Sequence, residues 1–141
     1  MKSSARTGAR QLAIQSLYEW QLSQNPIKEI VETALLHKVG KNIDINFYKE
    51  LVENTAKNVE KIDSQLQKAV KRSLTEIDVV ELAVVRSAAY ELMYKPEIPY
   101  KVIINEAVES AKKFGADQGH KFVNGILDKL ADTIRATERN S

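Results

Sequence analysis

Cysteine is absent from the chain, which excludes a disulfide framework and any thiolate metal site. Histidine is nearly absent as well: only His37 and His120 are present, so no metal site and no metal cofactor is expected. No apolar run reaches the roughly 18 residues of a membrane span, and the N-terminus lacks the charged-then-apolar order of a signal peptide. A cytoplasmic protein with no membrane partner is therefore expected. Low-complexity segments, a convincing internal repeat and any stretch of strict polar–apolar alternation are missing too, and the last removes the main signal for a β-strand. Nor does charge of one sign dominate. The 21 Lys and Arg against 19 Asp and Glu leave a net +2, too little to mark a nucleic-acid binder by itself.

What is present is 141 residues with 43% hydrophobic and 28% charged content, the profile of one domain, residues 1–141, with a core of its own. Apolar residues recur at helical spacing nearly throughout, so the fold class is all-α, a compact bundle of about seven helices. The first helix is expected from about Ala5 to Gln24 and the second from about Ile27 to Val39, stopped by Gly40. Asp44 can cap a third that carries Phe47 through Val59, and Asp63 or Ser64 can restart a shorter fourth. Thr75-Glu-Ile-Asp78 resembles a capping box opening a fifth helix to Met93, apolar almost all round, which the others should wrap. Pro96 and Pro99 break the chain before a sixth helix from Tyr100 to Phe114.

Residues 114–127 read FGADQGHKFVNGIL. Gly115 suits the left-handed position that ends one helix, and Asp117 can cap the next, which begins at about Gln118. The stripe Val123, Ile126, Leu127, Leu130 and Ile134 should be buried, and Phe122 lies about 100° away from its centre. Two readings of that off-stripe ring compete. In one the helix is buried on two sides and Gly125 admits a close neighbour. In the other Phe122 is a stacking platform beside Lys121 and Lys129.

Catalysis finds little support. Gly115 to Lys121 falls one residue short of a phosphate loop, follows no strand and is followed by Phe122 where Ser or Thr is needed. The acidic pairs Glu106 with Glu109, and Glu76 with Asp78, read as solvated helix surface rather than catalytic carboxylates. Charge distribution is more informative. From Met1 to Tyr18 the only charges are Lys2, Arg6 and Arg10, and a second basic stretch runs through Lys57, Lys61, Lys68, Lys71 and Arg72. Arg6 and Arg10, four apart, should project from one side of a helix, where guanidinium forks match phosphate geometry and stack on bases. Between Glu76 and Glu91 the sign reverses, with Arg86 the lone base, so a basic pole and an acidic face are expected. Arg86 should find glutamate partners inside the bundle.

The segments SARTGARQLAIQSLYEWQLSQN, ELAVVRSAAYEL and PYKVIINEAVESAKKFGADQGHKFVNGILDKL together resemble the NusB family of bacterial transcription antitermination factors. The resemblance runs almost the whole chain and is weakest between Pro26 and Leu74. It implies an all-α fold of two three-helix subdomains with no catalysis and no cofactor. It also implies binding of boxA single-stranded RNA in ribosomal RNA leader transcripts, as a heterodimer with the small-subunit ribosomal protein also called NusE, within the RNA polymerase antitermination complex. By position, Lys2, Arg6 and Arg10 fall in the family's arginine-rich segment, and Gln118, Lys121 and Phe122 in its second RNA-contacting stretch. Tyr18, Glu76 and Glu81 fall where the family meets its ribosomal partner. Thr7 and Gly8 stand where relatives often carry further arginines, so a protein-only adaptor with weakened RNA contact is the alternative. The free state, monomer or homodimer, stays open, and the NusB-like RNA cytosine methyltransferases are set aside because no cofactor-binding domain follows.

Overall fold

The computed structural model describes residues 2–37 and 42–140, the side chains of residues 2 and 3 excepted. Among the described residues all regular structure is helical: α1 (Lys2–Ser23), α2 (Ile27–Leu36), α3 (Ile45–Lys57), α4 (Val59–Ala69), α5 (Val79–Tyr94), α6 (Tyr100–Phe114), α7 (Gly119–Ile134) and a short α8 (Ala136–Arg139). None of these helices is long and apolar enough to cross a membrane.

Local chemistry explains most boundaries. Gln24 adopts φ 59°, the left-handed conformation that closes helices, and its N–H donates to Trp20 O at 2.9 Å. Pro26 then precedes α2. The expected stop of α2 at Gly40 lies outside the described residues; the helix ends at Leu36, earlier than its apolar pattern suggests. Asp44 caps α3 as expected, its carboxylate accepting from the Phe47 N–H at 3.0 Å. The break after α3 was not expected at Asn58. There the side chain donates to Asn54 O at 2.8 Å, competing for the helical acceptor, and α4 restarts at Val59 instead of at Asp63 or Ser64. The expected capping box also gives way to a different device. Ser73 caps a single 3-10 turn at Leu74–Glu76, and Asp78 alone caps α5, accepting from the N–H groups of Val80 and Glu81 at 3.0 and 3.1 Å.

α5 is the central helix, with Ala83, Val84, Val85, Ala88, Ala89 and Leu92 all buried, and α1, α3, α4, α6 and α7 pack around it. α1–α3 form one three-helix group and α5–α7 another, with α4 laid across α5 and α7. Contacts fix the directions. Arg10 meets Glu91 while Gln21 meets Val79, so α1 runs antiparallel to α5. Gly119 packs on Glu81 while Arg135 reaches Leu92, so α7 runs parallel to it. Arg135 closes the core helix: Nε donates to Leu92 O at 2.9 Å, and Nη2 to Lys95 O at 2.9 Å and Glu91 O at 3.3 Å, a cation at the negative helix end. No local pattern announces that role.

Candidate nucleic-acid interface

At the start of α1 the two arginines part company. Arg6 is partly exposed, its guanidinium 4.2 Å above the Phe47 ring and its Nε 3.8 Å from an Asp44 carboxylate oxygen. The ring supports the fork while the side chain stays 39% exposed. Arg10 also lies over Phe47, at 5.1 Å, but is only 6% exposed. Its Nε and Nη2 form a bidentate pair with Glu91 at 2.9 and 2.8 Å, and Nη1 donates to Glu106 at 3.2 Å. Burial works against this charge, but the bonds and fields of Glu91 and Glu106 outweigh it and raise the Arg10 pKa. Burial likewise pushes the Glu91 carboxyl up, and Arg10 pulls it back. The four-residue spacing does put both arginines on one side, but that side faces α3 and α5. Arg10 is therefore not the outward cation that the spacing suggested. The side chain of Lys2 lies outside the described residues.

Thr7 and Gly8, the non-arginine positions, have structural duties. Thr7 donates its hydroxyl to Glu106 at 2.8 Å. A Cβ on Gly8 would lie 2.5 Å from Asn42 O, so the bare backbone lets residues 42 and 43 cross α1. The Asp44 N–H seals the crossing on Ala5 O at 3.0 Å.

The second stretch sits at the other end of α5. Gly115 is extended, not left-handed, and a Cβ there would approach Ala111 O to 2.8 Å. The left-handed residue is Gln118, φ 71°, which precedes α7 without a side-chain cap; Asp117 does not cap the helix. Gln118 and Lys121 are exposed. Phe122 is half-buried: it packs against the core, and the Arg72 guanidinium lies 4.7 Å from its ring centroid. The two-sided-burial reading relied on Gly125 admitting a neighbour, yet Gly125 is exposed and a Cβ there would meet nothing within 4 Å. Arg72 had been visible in the sequence only as part of a basic run.

Tyr18, Glu76 and Glu81 share this end of α5. Tyr18 is 39% exposed, and Leu22, one turn on, is 58% exposed, an apolar edge on α1. Three residues past Tyr18, Gln21 donates to Val79 O at 2.8 Å, tying that edge to the start of α5. Glu76 is exposed on the 3-10 turn. Glu81 departs from expectation: it is 7% exposed, and its carboxylate lies against Gly119 where a Cβ would collide with it. Burial pushes its pKa up, Asp78 adds to the rise and Arg72 opposes it. Arg86 also departs: its bidentate partner is Asp63, at 2.9 and 2.8 Å, with Gln21 as a third contact. Among the described residues no group of His, Asp or Glu is placed to hold a metal ion.

A sequence model described as the NusB family matches residues 7–132. The transcription antitermination protein NusB of Idiomarina loihiensis is 46% identical over 139 residues, covering 99% of this chain and 100% of that one. Its counterpart from Serratia proteamaculans is 47% identical over 135 residues, covering 96% and 98%. A crystal structure of antitermination factors NusB and NusE in complex with dsRNA superposes with a TM-score of 0.83 at 29% identity, covering 92% of this chain and 96% of that one.

Proposed function

This chain belongs to the NusB family, and from that premise we propose that it is a non-catalytic, cytoplasmic transcription antitermination factor acting on boxA RNA with a NusE-type ribosomal protein. Residues 1–141 act as one domain, supported by a single buried cluster that runs from Ala9 to Ala131. In this reading Arg6 holds phosphate from its Phe47 platform, with Lys2 extending the same pole. Gln118, Lys121 and Phe122 form the second contact. Arg10 serves the RNA indirectly, by fixing the α1 backbone from which Arg6 projects. Tyr18, with Leu22, and Glu76 supply the surface for the ribosomal partner, and Glu81 supports it from below. The assembly then joins the RNA polymerase complex.

The observation that carries the RNA reading is Phe122. A half-buried ring that leaves its helix's buried stripe and lies 4.7 Å from a guanidinium is suited to stacking. One base–aromatic stack is worth about 1–3 kcal/mol. Phe122→Leu, which keeps apolar contact with the core and removes the aromatic face, should weaken boxA binding by about tenfold with the ribosomal partner present, while the melting temperature holds. The measurement is a mobility shift comparing boxA with scrambled RNA of equal length. Full affinity in Phe122→Leu would assign Phe122 to the core and not to the contact, whereas a wild-type complex with no preference for boxA over scrambled RNA would favour the protein-only adaptor.

A further inference from the structure

Between the end of α4 and the first turns of α7 a groove of about 360 Å³ opens on the surface. Lys71 and Arg72 stand on one side and Lys121 and Lys129 on the other, with Phe122 and Gly125 between them. No carboxylate lines it. All four cations are exposed, whereas the arginines that the fold covers fully or in part have acids: Arg10 has Glu91, Arg86 has Asp63 and Arg135 has Glu138. Among the described residues none of the groove's four cations makes such an ion pair. Four like charges around one cleft repel one another, and only Arg72, which lies over Phe122 and whose field favours the Glu81 carboxylate, returns anything to the fold. An external anion would reverse that sign.

The floor points to which anion. Glycine inside a helix is destabilising relative to alanine, and Gly125 has no neighbour inside the molecule that requires it. Its openness serves only something that arrives from outside. Beside it lies the half-buried Phe122 ring, with the Arg72 guanidinium 4.7 Å from its centroid, a planar group that stacks equally well on a nucleobase. A compact anion such as free phosphate would have no use for the ring.

We propose that this groove seats one nucleotide of a single-stranded RNA between two jaws. Arg72 lifts from Phe122, the base enters, and the guanidinium closes on the base's other face, while Lys71, Lys121 and Lys129 hold the flanking phosphates. This deepens the RNA reading above and rests on it, extending the contact from α7 to the loop after α4.

The test uses the full chain with its ribosomal partner and labelled boxA RNA, read by fluorescence anisotropy over a salt series. Lys129→Ala and Lys71→Ala should each flatten the dependence of log K on log salt by about 0.7, the single-strand value per phosphate contact. Arg72→Ala should lose roughly tenfold in affinity, and Arg72→Lys should restore the salt slope without restoring the affinity, because an ammonium carries charge but does not stack. Gly125→Gln, a better helix former, should keep or raise the melting temperature and yet weaken RNA binding by blocking the floor. Wild-type slope and affinity in Lys129→Ala and Gly125→Gln, with Phe122→Leu still impaired, would overturn the groove while leaving RNA binding intact. Tighter binding by Arg72→Ala would overturn the jaw, making Arg72 a mere competitor for the ring. Loss of the ribosomal partner instead of RNA in these variants would assign the groove to an acidic protein face. Should the wild-type complex fail to prefer boxA over scrambled RNA, the fault lies with the underlying function and not with the groove.

Discussion

Removing the Arg10 side chain separates a structural arginine from an RNA contact. In Arg10→Ala, Glu91 keeps its place at 2% exposure but loses both bonds of its bidentate partner. Breaking one side of a buried pair typically costs about 3–5 kcal/mol, against a total domain stability of about 5–15. For a chain of this length each kcal/mol corresponds to about 2–4 °C, so the melting temperature should fall by roughly 6 to 20 °C. Glu91→Gln in the same background removes the stranded charge and should recover much of the loss. A double-mutant cycle between the two positions then reads the coupling directly.

Protonation supplies a second readout. Burial already pushes the Glu91 carboxyl up, and losing Arg10 removes the pull that opposes this. A carboxyl whose folded pKa exceeds its unfolded value lends stability below the unfolded pKa and loses it as pH rises through the folded one. The deficit of Arg10→Ala should therefore shrink on going from about pH 8 to about pH 5, followed by thermal melts. RNA binding by the refolded, low-temperature protein should keep the wild-type salt slope. An Arg10→Ala protein that melts within about 1 kcal/mol of wild type while its salt slope flattens by about 0.7 would refute this reasoning and return Arg10 to the phosphate-binding set.

Glu81→Lys should lower stability by about 1–3 kcal/mol, because it places a cation in a tight site at the positive ends of both α5 and α7. An unchanged melting curve would show the carboxylate to be free, so loss of the ribosomal partner is better measured in Glu81→Gln. Thr55 is fully buried and its hydroxyl oxygen has no partner among the described residues, so Thr55→Val should stabilise by about 1 kcal/mol. A fall in melting temperature would mean that the hydroxyl is bonded. Arg10, one turn after Arg6, meets Glu91, and Gly119, three residues before Phe122, lies against Glu81, two positions about 15 Å apart along α5 at 1.5 Å per residue. RNAs shortened from one end should lose sensitivity to Arg6→Ala and to Phe122→Leu at different lengths, by roughly four stacked nucleotides; simultaneous loss would place the two contacts together.

Much of the bundle is legible in the sequence because its determinants are local. The stripe Val123, Ile126, Leu127 and Leu130 is buried as its spacing requires, Asp44 caps the helix it precedes, and α5 is central because it lacks a polar face. What escapes reading depends on partners distant in the chain or on crowding. Asp63 has the chemistry of a helix start, but its carboxylate is engaged by Arg86, 23 residues away. Glycine preference put the left-handed turn at Gly115, whereas the close approach of Ala111 O explains that glycine, and Gln118 makes the turn. The spacing of Arg6 and Arg10 gives a shared side; only Glu91, 81 residues from Arg10, decides that the side is inward.

The same distinction explains why the net charge of +2 understates the basic surface. Acids are not spread evenly among the bases. Glu91 and Glu106 serve Arg10, Asp63 serves Arg86, and Glu50 and Glu97 serve Lys95, all in pairs that hold helices or their ends together. Those pairs are short-range and nearly neutral, so they contribute little field beyond a Debye length of about 8 Å. Several cations stay outside such pairs, and four of them are placed together. Lys71, Arg72, Lys121 and Lys129 gather around one half-buried aromatic ring. An overall charge close to zero is thus compatible with a positive site, because the acids, whether paired or not, lie outside the groove.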